Sequence, residues 1–141
     1  MTDTPPPGFA RHTRSSPLTE PWEPLFSRRD GEAFTIGLTI ARPHTNSRGL
    51  AHGGLLSALA DNAMGIACAL ALGGKAGLVT VQLSLDLMGA AKPGQWLEVA
   101  GRPLRTGRTL CFAEALLTAD GTPVAKAGGI FRVLDPTTAE G

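Results

Sequence analysis

The sequence predicts an α+β domain in which an antiparallel sheet wraps one central helix. Three observations carry this: an almost wholly apolar run over residues 55–72, a strictly alternating run soon after it, and turn signals that separate three further strand-like runs.

In chain order, the opening segment is rich in proline, threonine, serine and glycine, a composition that cannot bury a core of its own. Residues 1–16 are therefore expected to form a mobile arm, residues 17–135 the single domain and residues 136–141 a C-terminal tail. A short helix is expected over residues 18–26, where Trp22, Leu25 and Phe26 share a side, although Pro21 and Pro24 oppose it. Asp30-Gly31 reads as a turn, and Phe34, Ile36, Leu38 and Ile40 then alternate with smaller residues, as in a strand with one buried face.

Only Ser57, Asp61 and Asn62 interrupt the run over 55–72. With an aspartate at its middle and glycine pairs at both ends, it reads as a core helix rather than a membrane span, and Gly73-Gly74 ends it by permitting a left-handed backbone. Val79, Val81, Leu83, Leu85 and Leu87 then interleave with Thr80, Gln82, Ser84 and Asp86, the pattern of a half-buried strand. Lys92-Pro93-Gly94 breaks the chain. Strands follow over 95–105, 109–118 and 122–134, joined at Thr106-Gly107-Arg108 and Asp120-Gly121.

With 141 residues the chain can build one proper core without staples. Its 13 basic and 12 acidic side chains give a formal charge of +1, which leaves no basic face for nucleic acid and no charged tether for a membrane. Cys68 and Cys111 lie in apolar segments without C-x-x-C spacing, so buried free thiols in a reducing cytoplasm are expected. The opening residues hold Pro5, Pro6 and Pro7 where a signal peptide would be apolar.

Polar groups concentrate between residues 43 and 62: His44, Asn46, His52, Gly53, Gly54, Ser57, Asp61 and Asn62. Gly53-Gly54 stands just before the helix, where backbone N–H groups lack intrahelical partners and carry the positive end of the dipole. An amide so placed can hold a developing oxyanion; alternatively the glycines form a tight turn that lets helix and sheet approach closely. Asp61 is a carboxylate amid apolar neighbours and requires partners. Helical spacing sets Ser57, Asp61, Gly65 and Cys68 along one stripe.

Eight residues of helix separate Gly53 from Asp61 by about 12 Å. A carboxylate acting on a carbonyl held by the Gly53 amide must lie much closer, so one chain cannot easily supply both groups. A symmetric dimer with antiparallel helices would bring Gly53 of one copy beside Asp61 of the other. Other schemes fit less well: no G-x-S-x-G surrounds Ser57, His44 and His52 are too few to form a metal site, and no phosphate-binding glycine motif is present.

The segment from Asn46 through Gly49 to His52-Gly53-Gly54, followed by Asp61-Asn62, resembles the HGG signature of the hotdog-fold acyl-CoA thioesterases, in particular the phenylacetate-pathway PaaI type and the THEM group. The likeness covers roughly residues 20–134. It implies that the Gly53 amide polarises the thioester carbonyl, with His52 and Asn46 helping to orient the thioester or the water. Asp61 of the neighbouring subunit would be nucleophile or general base, and Thr80 would hold the water or the carboxylate. It further implies a homodimer that pairs again, with no metal or separate cofactor. Coenzyme A would enter as part of the substrate, along Gly54 and the basic residues Lys92, Arg105 and Arg108. The chain has no tyrosine, which points to a pocket of Leu, Met, Val and Ala and brings medium-chain acyl groups into competition with aryl-acetyl ones. Two other functions compete with hydrolysis: a non-catalytic acyl-CoA or acyl-carrier binding protein, and a hotdog enoyl-CoA hydratase.

Overall fold

The computed structural model describes residues 4–134. Seven antiparallel strands form a single sheet: β1 (Ala10–Arg11), β2 (Phe26–Asp30), β3 (Ala33–Thr39), β4 (Gly77–Leu87), β5 (Trp96–Thr106), β6 (Leu110–Ala119) and β7 (Thr122–Leu134). Their order across the sheet is β1-β2-β3-β5-β6-β7-β4, so the strand that follows the helix lies at an outer edge. Among the described residues the one long helix is α1 (Gly53–Ala71), which packs against the sheet. It buries Leu55, Leu59, Ala63, Met64 and Cys68 against Ile36, Leu38, Leu97, Val99, Leu117 and Phe131.

The many alanines of α1 let the sheet come close, and the closest approach is at Gly101 on β5. A Cβ there would stand 2.7 Å from the Ala63 carbonyl carbon, which is backbone and cannot swing aside. Gly101→Val is therefore expected to cost about 1–3 kcal/mol through overpacking, read as a lower denaturant midpoint.

The strands expected over 95–105, 109–118 and 122–134 are present as β5, β6 and β7. Three features differ from the sequence expectation. First, the helix expected over 18–26 is reduced to a 3-10 turn at Glu20–Trp22, and Phe26 opens β2 instead. Pro21 and Pro24 remove the backbone donors that a longer helix would need.

Second, part of the proline-rich arm belongs to the domain. Ala10 and Arg11 pair with Ser27 and Phe26, Phe9 and His12 are buried, and the Phe9 ring stands edge-on to Trp96 at 5.2 Å. Composition weighs the average of a segment and misses two apolar anchors within it. The tail over 136–141 lies outside the described residues.

Third, β4 does not keep one alternating face. Its pairing with β7 steps from Thr80 opposite Phe131 to Gln82 opposite Ile130, leaving Val81 as a bulge. Before the bulge Leu78 and Thr80 share the helix side with Val133 and Phe131; after it Leu83, Leu85 and Leu87 do, opposite Gly129, Ala127 and Ala125. An unbroken strand would have turned Thr80 away from α1.

Candidate active site

The site begins in the loop between β3 and α1. Asn46 Oδ1 accepts the backbone N–H groups of Arg48 at 2.9 Å and Leu50 at 3.1 Å, and Gly49 takes the positive φ of 77° that the reversal requires. The loop closes where Ala51 N–H donates to the Ala91 carbonyl and His52 N–H to the His44 carbonyl. His44 is buried and fully used: its Nδ1 accepts from Ala41 N–H and its Nε2 meets the Trp22 carbonyl, both at 2.9 Å. It is a structural histidine that fixes the loop. Asn46 likewise spends its oxygen on the loop.

His52 caps the helix. Its Nδ1 accepts the Gly54 N–H at 2.8 Å, so the neutral ring carries its proton on Nε2, on an exposed edge. Gly53 and Gly54 therefore form the first two residues of α1 rather than preceding it. The Gly54 amide, expected to meet coenzyme A, is committed to the cap. The Gly53 amide has no intrahelical acceptor, and no acidic residue in the first turn offsets the positive end of the dipole beside it.

Asp61, two turns along α1, is half-buried and receives the Thr80 hydroxyl on Oδ1 at 2.6 Å. That charge-assisted bond depends on the Val81 bulge and fixes the carboxylate with Oδ2 still open. Both residues line a cavity of about 420 Å3 whose floor includes Gly65, Ile66 and Ala69 of α1 with Leu78 and Phe131 of the sheet. The helix stripe that faces it continues from Asp61 through Gly65 to Ala69. Cys68, expected on that stripe, is instead fully buried, and burial together with nearby Cys111 pushes its thiol up to about 12. Ser57 donates to the Gly53 carbonyl at 2.9 Å and so satisfies itself within the helix.

The expected coenzyme A cations do not gather in one chain. Lys92 follows Ala91, which binds the loop at the start of α1, whereas Arg105 lines a cleft with Ala67, Leu70 and Ala71 at the helix's far end. Arg108 lies in the β5–β6 turn near Arg105.

Sequence reasoning missed several walls of the Asp61 cavity: His12, Arg14, Ser15 and Ser16 of the arm, Thr19 just after it, and Phe131 of the sheet. Burial holds His12 below its ordinary range, with Glu23 opposing the shift and Arg14 adding to it. The buried Phe9 and His12 flanking β1 were the only signal that the arm docks. The cavity beside Asp61 is thus partly polar and partly aromatic, in contrast to the Leu, Met, Val and Ala lining expected of an acyl pocket.

Comparison with known proteins identifies the family. Residues 48–126 match the family model "Thioesterase superfamily". The Pseudomonas aeruginosa protein "Putative esterase PA0474" is 42% identical over 129 residues, covering 91% of this chain and 96% of that one. Human "Acyl-coenzyme A thioesterase 13" is 33% identical over 85 residues, 60% of each chain. A solved Streptococcus pneumoniae structure, described as a hypothetical thioesterase protein with coenzyme A, is 31% identical with a TM-score of 0.67, covering 74% of this chain and 82% of that one. The matched span starts in the loop that presents His52 and runs through α1 into β7, and the chain belongs to the thioesterase superfamily of hotdog-fold enzymes.

Proposed function

We propose that this protein hydrolyses acyl-CoA thioesters as a homodimer, each site using the helix start of one chain and Asp61 of the other. The observation that carries it is the Asp61 carboxylate, held by Thr80 at 2.6 Å at the wall of a 420 Å3 cavity. A fixed acid with one open oxygen is equipped to act at a carbonyl carbon, either by drawing a proton from water or by direct attack. The thioester oxygen would lie against the Gly53 N–H and the His52 Nε2–H, which stabilise the oxyanion as it forms. With water as the nucleophile, Asp61 takes its proton, and collapse of the tetrahedral species releases the acid and the coenzyme A thiolate, which recovers that proton; direct attack would instead expel the thiolate and leave an acyl–Asp61 anhydride, which water then hydrolyses to the acid.

Two observations support the dimer. Gly53 and Asp61 stand eight residues apart on one helix, about 12 Å along its axis, so one chain cannot easily bring both to one carbonyl. In addition, β4 is a long outer-edge strand carrying exposed Val79, Val81, Leu83 and Leu87 and a single charged residue, Asp86. Such an edge invites pairing with another copy. In that arrangement, with the partner's Asp61 opposite Gly53, the C-terminal half of the partner's helix runs on past the start of α1, which would bring Lys92 toward Arg105 and Arg108 of the other chain along coenzyme A. A further pairing of dimers, and a cytoplasmic location suited to the two buried free thiols, belong to the same reading.

The test is thiol release from acyl-CoA esters spanning aliphatic lengths and aryl-acetyl groups, read with a thiol reagent. Hydrolysis of medium-chain or aryl-acetyl members is the expected result. Binding of coenzyme A in calorimetry without release of thiol from any ester would replace this reading with that of a binding protein.

A further inference from the structure

The arm crosses the Asp61 cavity between two anchors. At one end His12 N–H donates to the Leu25 carbonyl at 2.9 Å, and the His12 ring rests against Phe34 with centroids 5.8 Å apart. At the other, the Glu20 N–H donates to the Ser16 carbonyl at 2.9 Å and the buried Thr19 bonds Ser16 through both backbone and hydroxyl. Between them, Thr13 to Ser15 form a strap. His12 and Arg14 also line a second, smaller cavity over Ile66, Ala69 and Leu70, so the strap is a partition lying along the C-terminal half of α1.

The walls it supplies differ from the rest of the cavity. Beyond Asp61, Asn62 and Thr80 the floor is apolar, whereas the strap contributes hydroxyls and the exposed Arg14, among the described residues the only lysine or arginine on that lining. Arg11, Arg28 and Arg102 are each paired with a glutamate, but among the described residues no carboxylate lies in ion-pair range of Arg14. The helix residues on the lining run from Asp61 to Ala69, about 12 Å along the axis, so an acyl group entering at Asp61 extends toward the C-terminal half of α1 and the strap.

We propose that Arg14 on this strap selects acyl groups whose far end carries a second carboxylate. This rests on the thioesterase reading for the placement of the thioester at Asp61. A guanidinium offers a forked, permanently charged partner to a carboxylate, and it would offset the repulsion that an anionic acyl tail meets from Asp61. A plain alkyl tail leaves that exposed guanidinium to water and gains only the apolar floor.

The experiment compares adipoyl-CoA with hexanoyl-CoA, which differ at the chain end alone. In the wild type kcat/KM should favour adipoyl-CoA. Arg14→Gln should lower the adipoyl-to-hexanoyl ratio at least tenfold, and Arg14→Lys should restore part of it. A ratio that does not move in Arg14→Gln overturns the proposal. The same ratio is then read as binding affinity, in the Asp61→Asn protein with and without Arg14→Gln, where no turnover is needed. If the wild type cleaves neither ester while the binding ratio still depends on Arg14, hydrolysis is wrong and the role of Arg14 stands. If cleavage occurs and neither ratio depends on Arg14, hydrolysis stands and the role of Arg14 is wrong.

Discussion

Asp61→Asn is expected to lower kcat for acyl-CoA esters by roughly a hundred- to ten-thousandfold, the range over which a positioned acid or base contributes. The amide has the shape of the carboxylate, and its oxygen can still accept the Thr80 hydroxyl that now reaches Oδ1 at 2.6 Å. Because Asp61 is only half-buried, the fold should persist with a melting temperature close to that of the wild type. What the amide lacks is basicity and nucleophilic charge at the open oxygen. KM should move far less than kcat, since the acyl cavity and the helix start are untouched. Steady-state kinetics on any ester the wild type cleaves decides the matter, and near-normal turnover would remove Asp61 from the chemistry.

The second large effect is expected at Gly53. Gly53→Pro deletes one backbone N–H and little else, because proline is favoured at the first position of a helix, where the N–H has no intrahelical acceptor. His52 already has the extended backbone, with φ −70° and ψ 133°, that a residue before proline adopts. The helix should therefore form as before, with unchanged circular dichroism. Loss of the amide that faces the oxyanion should cost roughly a hundred- to a thousandfold in kcat, equivalent to about 2.7–4 kcal/mol. Gly53→Ala separates the amide from sterics: it keeps the N–H and presses its Cβ only on the Leu87 side chain at 3.3 Å. A Gly53→Pro enzyme as active as Gly53→Ala would mean that the amide holds no oxyanion.

The candidate site was legible in the sequence to the extent that its residues sit where local rules act. Gly53 and His52 are at a helix start, and Asp61 is a charge in an apolar run, so composition and period find them. The Asp61–Thr80 bond was out of reach because it depends on the Val81 bulge. Strict alternation places Thr80 with Gln82 on the polar face, and nothing local in that stretch announces an extra residue. The arm failed for a different reason. Phe9 and His12 gain their burial from Trp96 and Phe34, distant in sequence, and proline-rich surroundings outweighed them in any local average. The exposed Val79, Val81, Leu83 and Leu87 of β4 are divided by the bulge and do not share one face, and periodicity reports that a run is apolar, not which chain covers it.

Sharing of each site between two chains is tested most directly by complementation. Asp61→Asn and Gly53→Pro chains, each inactive alone, can be co-expressed so that mixed dimers form. In a mixed dimer one site inherits Gly53 from the first chain and Asp61 from the second and is wholly native, while the other carries both defects. Random pairing makes about half of the dimers mixed, so the preparation should recover roughly a quarter of the wild-type rate. If both groups instead acted within one chain, every site in every dimer would carry a defect, and the mixture would be as inactive as its parents.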